Sequence, residues 1–216
     1  GSTATGRAVM RTAAENITKV FLELGGKSAF IVMDDADVAS AAGLAAFMAS
    51  THAGQGCAIT TRLLVPRSLH DDIVDAAAAT MGALAAGDPS EPGTICGPVI
   101  SARQRERIEG YLQLAKDEGA TFAVGGGRSP NFERGYFIDP TLVVGLDNSS
   151  RVAREEIFGP VLTVIPYDDT DDAVAIANDS PYGLSGAIFS ADEQRALDVA
   201  ARIRTGTLAV NGGVWY

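Results

Sequence analysis

An α/β fold built on a mostly parallel sheet, with helices on both of its faces, is what this sequence predicts, and three observations predict it. Apolar runs of strand length alternate along the chain with segments of helical pattern. The helical segments are long enough to serve as crossovers, which parallel strands require. Gly and Pro punctuate the connections and gather in no tract, so no linker interrupts the succession.

Taken in order, residues 5–16 (TGRAVMRTAAEN) read as a helix and KSAFIVM (27–33) as a continuous apolar run of strand length. VASAAGLAAFMAS (38–50) is rich in alanine and reads as a buried helix, and TRLLVP (61–66) as a strand. Two helices are expected at 69–84 and 103–119, the second with Ile108, Leu112 and Ala115 on one face and charges around the rest. Strands are expected at 120–124, 137–146 and 161–167. A helix at 170–179, a strand at 186–190, a helix at 191–204 and a strand at 207–211 complete the alternation. No internal repeat is visible. In sheets of this kind ligands sit at the carboxyl ends of strands, which is where the glycine-rich turns are expected to fall.

The 216 residues suffice for one large domain or for a domain and a fragment of another, and a hydrophobic content of 46% with 20% charged residues is that of a globular chain. The formal net charge is -10 and the 17 basic residues are interleaved with acids, so no nucleic-acid partner is expected. The longest small-apolar run is shorter than the roughly 20 residues that span a bilayer, so no membrane association is expected. No secretory leader pattern opens the chain, and Cys57 and Cys96 do not resemble a disulfide framework, which favours a reducing, cytoplasmic setting. No metal site is expected, because His, Cys and acids do not cluster at ligand spacing. With no initiating methionine and an abrupt stop on NGGVWY, both ends read as cut from something longer.

Four stretches can carry chemistry. In GSTATG (1–6), Gly1 and Gly6 bracket Ser2 and Thr3 near a helix start, an arrangement that suits either an anion such as a pyrophosphate or an ordinary helix cap. In LELGGKS (22–28), Glu23 follows a strand-like apolar pair and precedes two glycines, either a general base on water or a surface acid beside a turn. In GQGCAITTR (54–62), Cys57 has small neighbours that leave its sulfur open, and backbone N–H groups of the turn would lower its pKa from about 8.5. Cys96, in TICGPV, reads as a buried inert thiol, and neither His52 nor His70 stands out as a base. In REEIFGPVL (154–162), Glu156 can accept hydrogen bonds from ribose hydroxyls and Phe158 offers a flat face to a ring, or the stretch is a helix-to-strand connection with exposed charge.

In their order, and with 34 residues from Glu23 to Cys57, these motifs resemble the aldehyde dehydrogenase superfamily, as do GYFIDPTL, YGLSGAIFS and TGTLAVN further along. The resemblance covers essentially the whole chain. It implies an internal portion of a longer enzyme: residues 1–25 as the end of a dinucleotide-binding, Rossmann-like domain, and 26–216 as a catalytic domain cut short at its C-terminus. It implies Cys57 as the nucleophile that forms a hemithioacetal and then a thioester, and Glu23 as the base that activates water. It places Gly1, Ser2 and Gly6 at the pyrophosphate, Leu24 and Gly25 near the nicotinamide, Glu156 on the nicotinamide ribose and Phe158 beside the ring. NAD is the cofactor it implies, with NADP as an alternative, a small-molecule aldehyde the substrate, and a homodimer or homotetramer the parent assembly. The family's oxyanion-holding asparagine and adenosine-binding lysine have no counterpart in these residues. Three other readings compete. A coenzyme A-acylating relative generally lacks the glutamate, a cysteine hydrolase needs a histidine base, and a non-catalytic scaffold would be expected to have lost Cys57 or Glu23.

Overall fold

The structure, a computed structural model, describes residues 1–213; the Trp215–Tyr216 pair that ends the sequence lies outside the described residues. Helix α1 (Thr3–Ala14) is followed by β1 (Ser28–Val32), α2 (Val38–Ser50), β2 (Thr60–Pro66), α3 (His70–Ala83) and α4 (Ala102–Asp117). Then come β3 (Thr121–Val124), β4 (Thr141–Val144), α5 (Arg151–Arg154), β5 (Val161–Tyr167), α6 (Thr170–Asn178), β6 (Ser185–Phe189), α7 (Glu193–Ala200) and β7 (Thr207–Val210).

The strands form one seven-stranded sheet in the order β3-β4-β5-β2-β1-β6-β7. Every pairing is parallel except β3 with β4, which are joined without a helix and run antiparallel at the edge. The centre is the most apolar part because it is covered on both faces: all five residues of β1 are buried, as are six of the seven in β2 and in β5.

Alternation along the strands divides the core. Phe30, Val32, Leu63, Val65 and Leu162 face α2 and α3, and the alanines at 41, 42, 45, 46 and 49 let α2 lie close on the sheet. Ala29, Ile31, Leu64, Ile165 and Ile188 face α6 and α7. On that same side, Val143 and Val161 meet α4 through Ile108 and Leu112. Each buried aliphatic side chain contributes about 1.5–3 kcal/mol of transfer free energy.

The expected fold class therefore holds, and the differences have local causes. The expected strand at 137–146 shrinks to Thr141–Val144: Pro140 has no N–H for a ladder, Phe137 and Ile138 pair across to residues 128–129 instead, and Gly145 (φ +86°) turns the chain away. The last helix ends at Ala200, where i→i+3 bonds from Arg202 and Ile203 tighten the turn. The single-turn α5 was not expected, because four residues are too few to show a period. Residues 18–27 pair with no strand, so Glu23 is not at a strand end. The ladder starts only at Ser28, opposite Thr60. Most consequentially, the glycine-rich turns at 25–26, 54–56 and 159 all precede strands, so they lie at the amino ends of β1, β2 and β5 and not at the carboxyl ends.

Candidate active site

Three loops meet at those amino ends. The one carrying Cys57 leaves α2 through a left-handed turn, His52 (φ 53°), Ala53 (φ 53°) and Gly54 (φ 67°), of which only the glycine accepts that conformation without strain. Beyond it Cys57 abuts the double glycine of the first loop: a Cβ on Gly26 would fall 2.8 Å from the Cys57 carbonyl oxygen. The far side is tied down by Ser185 of β6, whose Oγ donates to the Ala58 carbonyl at 2.6 Å. That leaves the Ser28 hydroxyl to donate to Ser185 at 2.9 Å, so a single hydroxyl pair joins β1, β6 and the Cys57 loop.

The Cys57 side chain is half-buried and its thiol lies beside the exposed Glu23 carboxylate. That carboxylate, as acceptor, is the largest influence on the thiol and pushes its pKa up, reinforced by burial and by the negative charge of Glu23; the N–H groups of Cys57 and Ala58 pull it down by less. The expected lowering is thus reversed, because a neighbouring acceptor stabilises the S–H form. Cys96 is fully buried, and burial followed by the charge of Asp139 pushes its thiol up to about 12.

The third loop connects α5 to β5. The Glu156 carboxylate lies on the double glycine, accepting from the Gly26 N–H at 3.1 Å. A Cβ on Gly25 would come within 2.3–2.5 Å of the carboxylate atoms, so the contact exists only because residue 25 has no side chain. Phe158 adopts φ 61°, unusual for a bulky residue, and its ring lines the cleft. The loop is gripped from α4: Gln104 Nε2 donates to the carbonyls of Ile157 (3.0 Å) and Phe158 (2.7 Å), while the Arg107 guanidinium donates to those of Glu156 and Ile157. The sequence pattern of this helix singles out its apolar face and not these two residues. Their i, i+3 spacing puts both on one side of the helix, and that spacing was the available signal.

A cleft of about 570 Å³ runs between these loops, with Cys57, Gly25, Glu156, Phe158 and the start of α4 on its walls. Gly1 and Ser2 line one end. Helix α1 begins two residues before its expected start, and Ser2 is its N-cap, with Oγ accepting from the Thr5 N–H at 3.2 Å. The hydroxyl expected to face an anion is therefore engaged as a cap. Gly6 lies inside the helix, where a Cβ would strike the Leu24 side chain at 2.8 Å, and this contact docks α1 on the Glu23 segment.

The structure thus brings Glu23 to Cys57, and Glu156 to Gly25 and Gly26. It brings no histidine to the thiol: His52 is exposed, and His70 pairs with Asp71 at 2.8 Å. Among the described residues no group of three or more His, Cys, Asp or Glu is placed to hold a metal, and no helix is long and apolar enough to cross a membrane.

A cysteine beside a carboxylate, in a cleft at the amino ends of a mostly parallel sheet, defines a class of thiol-centred α/β proteins. Comparison specifies the class: residues 1–215 match the aldehyde dehydrogenase family, and the chain belongs to it. The geranial dehydrogenase of Castellaniella defragrans is 44% identical over 212 residues, which are 98% of this chain and 44% of that protein. A Mycobacterium tuberculosis aldehyde dehydrogenase solved with NAD+ superposes with a TM-score of 0.97 at 47% identity, covering 100% of this chain and 44% of that one. Aldehyde dehydrogenase C of Pseudomonas syringae, solved as a mutant with NAD+ and octanal, gives a TM-score of 0.97 at 40% identity, covering 100% and 45%. The chain spans less than half the length of the relatives it matches.

Proposed function

We propose that a full-length protein carrying this chain oxidises an aldehyde to a carboxylic acid with NAD+. The observation that carries this reading is the Glu23 carboxylate beside a Cys57 thiol that lines an open cleft. In the first step the thiol proton passes to Glu23 as sulfur bonds to the aldehyde carbon and the C=O π pair moves onto oxygen, which gives a hemithioacetal oxyanion. The nicotinamide, when bound, supplies the acceptor for the hydride that leaves that carbon. Cys57 is then left holding a thioester. Because Glu23 is exposed, it can release its proton to solvent and act a second time, on water that attacks the thioester carbon; the C–S bond breaks and the thiol is restored. A carboxylate base already at the sulfur favours water over coenzyme A as acceptor.

The residues fit a nicotinamide ribose on one observation above all. Glycine at 25 gives the Glu156 carboxylate a resting place at the cleft wall, from which it can turn to accept from sugar hydroxyls, with Phe158 beside it. Leu24 and Gly25 would border the nicotinamide, and Gly1, Ser2 and Gly6 the pyrophosphate side. NAD+ is preferred over NADP+ because the relatives were solved with it. Residues 1–25 fit the end of a dinucleotide-binding domain, since α1 docks on the segment before β1 and not on the sheet, and 26–216 the catalytic domain. Two free thiols suit a cytoplasmic setting.

The deciding experiment is pre-steady-state. Glu23→Gln in the full-length protein should keep the stoichiometric amplitude of the NADH burst, formed more slowly because the thiol has lost its proton acceptor, while steady-state turnover falls at least tenfold, because hydrolysis has lost its base. Loss of burst and turnover together would assign Glu23 to the thiol alone, and no change in either would remove it from the mechanism.

A further inference from the structure

Lys27 follows the double glycine directly and is 2% exposed, yet its Nζ has no hydrogen-bond partner. An amine so placed forgoes hydration without compensation, which natural cores rarely tolerate. Its backbone is held in place, since the Lys27 carbonyl accepts from Arg62 Nε at 2.9 Å. The residue lines a small void between the Cys57 and Glu156 loops, together with Gly54, Thr61, Ile157 and Gly159, and none of these four can titrate. The charged groups that face the amine are Arg62 from β2 and Glu156 and Glu155 from the loop before β5, with Glu156 the stronger of the two attractions.

We propose that Lys27 is a positioning residue for Glu156: its buried, unpartnered amine draws the Glu156 carboxylate back onto the Gly25–Gly26 turn and so competes with the sugar hydroxyls of a dinucleotide for that carboxylate. The inference rests on the reading of Glu156 as a ribose acceptor. Geometry supplies the two alternatives. On the turn, Glu156 holds one N–H bond, from Gly26, and lines the same small void as Lys27. Swung into the cleft, it gives up both for the sugar. The strength of the hold depends on the charge of the amine, and burial followed by the repulsion of Arg62 brings its pKa down to about 7. Below neutrality the ammonium holds Glu156 back; above it the neutral amine lets go.

The test is NAD+ binding to the full-length protein by titration calorimetry at about pH 6 and about pH 8.5, for wild type, Lys27→Met and Glu156→Gln. Wild type should bind roughly threefold to tenfold tighter at the higher pH, and Lys27→Met should bind about equally at both, near the tighter wild-type value. Glu156→Gln should bind weakly at both. A lysine that only supports the fold would leave the pH profile unmoved, so an unchanged profile in Lys27→Met overturns the proposal. A flat wild-type profile overturns it without reference to any variant. Absence of NAD+ binding in wild type, or undiminished binding in Glu156→Gln, overturns the ribose reading itself.

Discussion

Gly54 and Gly159 meet backbone to backbone: a Cβ on Gly54 would lie 2.1 Å from both the carbonyl carbon and the carbonyl oxygen of Gly159. This contact sets the Cys57 loop against the Glu156 loop. It also combines two demands on residue 54, a left-handed φ of 67° and room for a neighbouring main chain. No rotamer change relieves an overlap with backbone. Gly54→Ala should therefore cost about 2–4 kcal/mol, beyond the ~1 kcal/mol of the left-handed conformation alone. Urea denaturation of the variant against wild type measures it, and a cost below about 1 kcal/mol would show that the loops part freely.

The two thiols should separate under alkylation. Iodoacetamide should modify Cys57 well before Cys96, which is fully buried with its thiol pushed up to about 12. Glu23→Gln should make Cys57 react faster at neutral pH, because the carboxylate raises the thiol pKa and an uncharged amide raises it less. The pH–rate profile should shift to lower pH in the variant. A shift to higher pH would mean that Glu23 ionises the thiol in the resting protein.

Gln104 gives a third prediction. Gln104→Leu removes two hydrogen bonds to the loop carrying Glu156 and Phe158, each worth about 1 kcal/mol, and leaves the Cys57–Glu23 pair untouched. Steady-state kinetics should show KM for NAD+ rising roughly tenfold with kcat changed by less than about threefold. A fall in kcat with KM unchanged would place the loop in the chemical step.

The fourth concerns stability. Burial brings the Lys27 pKa in the folded protein down to about 7 from its ordinary 10.5, so between these values the unfolded chain binds more protons and stability rises with pH. Below about 7 the folded protein carries the full penalty of the buried charge. Lys27→Met should remove that rise and stabilise the protein at pH 6 by on the order of a few kcal/mol. Thermal melts at about pH 6 and pH 9 check the sign, and a variant less stable than wild type at pH 6 would mean that the ammonium is well solvated or paired.

Much of this was legible because period and length carry most of the information in a parallel sheet. The run from Val38 to Ser50 was bounded correctly, since Asp37 and its alanines leave little alternative to a capped, buried helix. What escaped were features that depend on partners distant in sequence. Gly25 reads as a turn residue, whereas its role is to leave room for a carboxylate 131 positions later. Lys27 opens the apolar run at 27–33, and its burial becomes visible only once both loops close over it. The placement at the amino ends of strands was readable, because GQGC follows a helix and precedes a strand; the general rule for open α/β sheets had been applied without regard to that order.

The strand order also dictates a schedule. Strand β1 sits between β2, which follows it at once, and β6, whose Gly186 pairs with Ala29 only after the intervening chain exists. On a ribosome the β1–β2 pair, and with it the meeting of Glu23 with Cys57, becomes available while the segment bearing Glu156 is still unmade. Cys57 and Glu23 are thus early neighbours in the nascent sheet, and the carboxylate proposed for the sugar is a late arrival. Pulsed alkylation of stalled nascent chains should find Cys57 shielded by Glu23 before residue 156 has emerged, and equal reactivity in Glu23→Gln chains of that length would contradict this order.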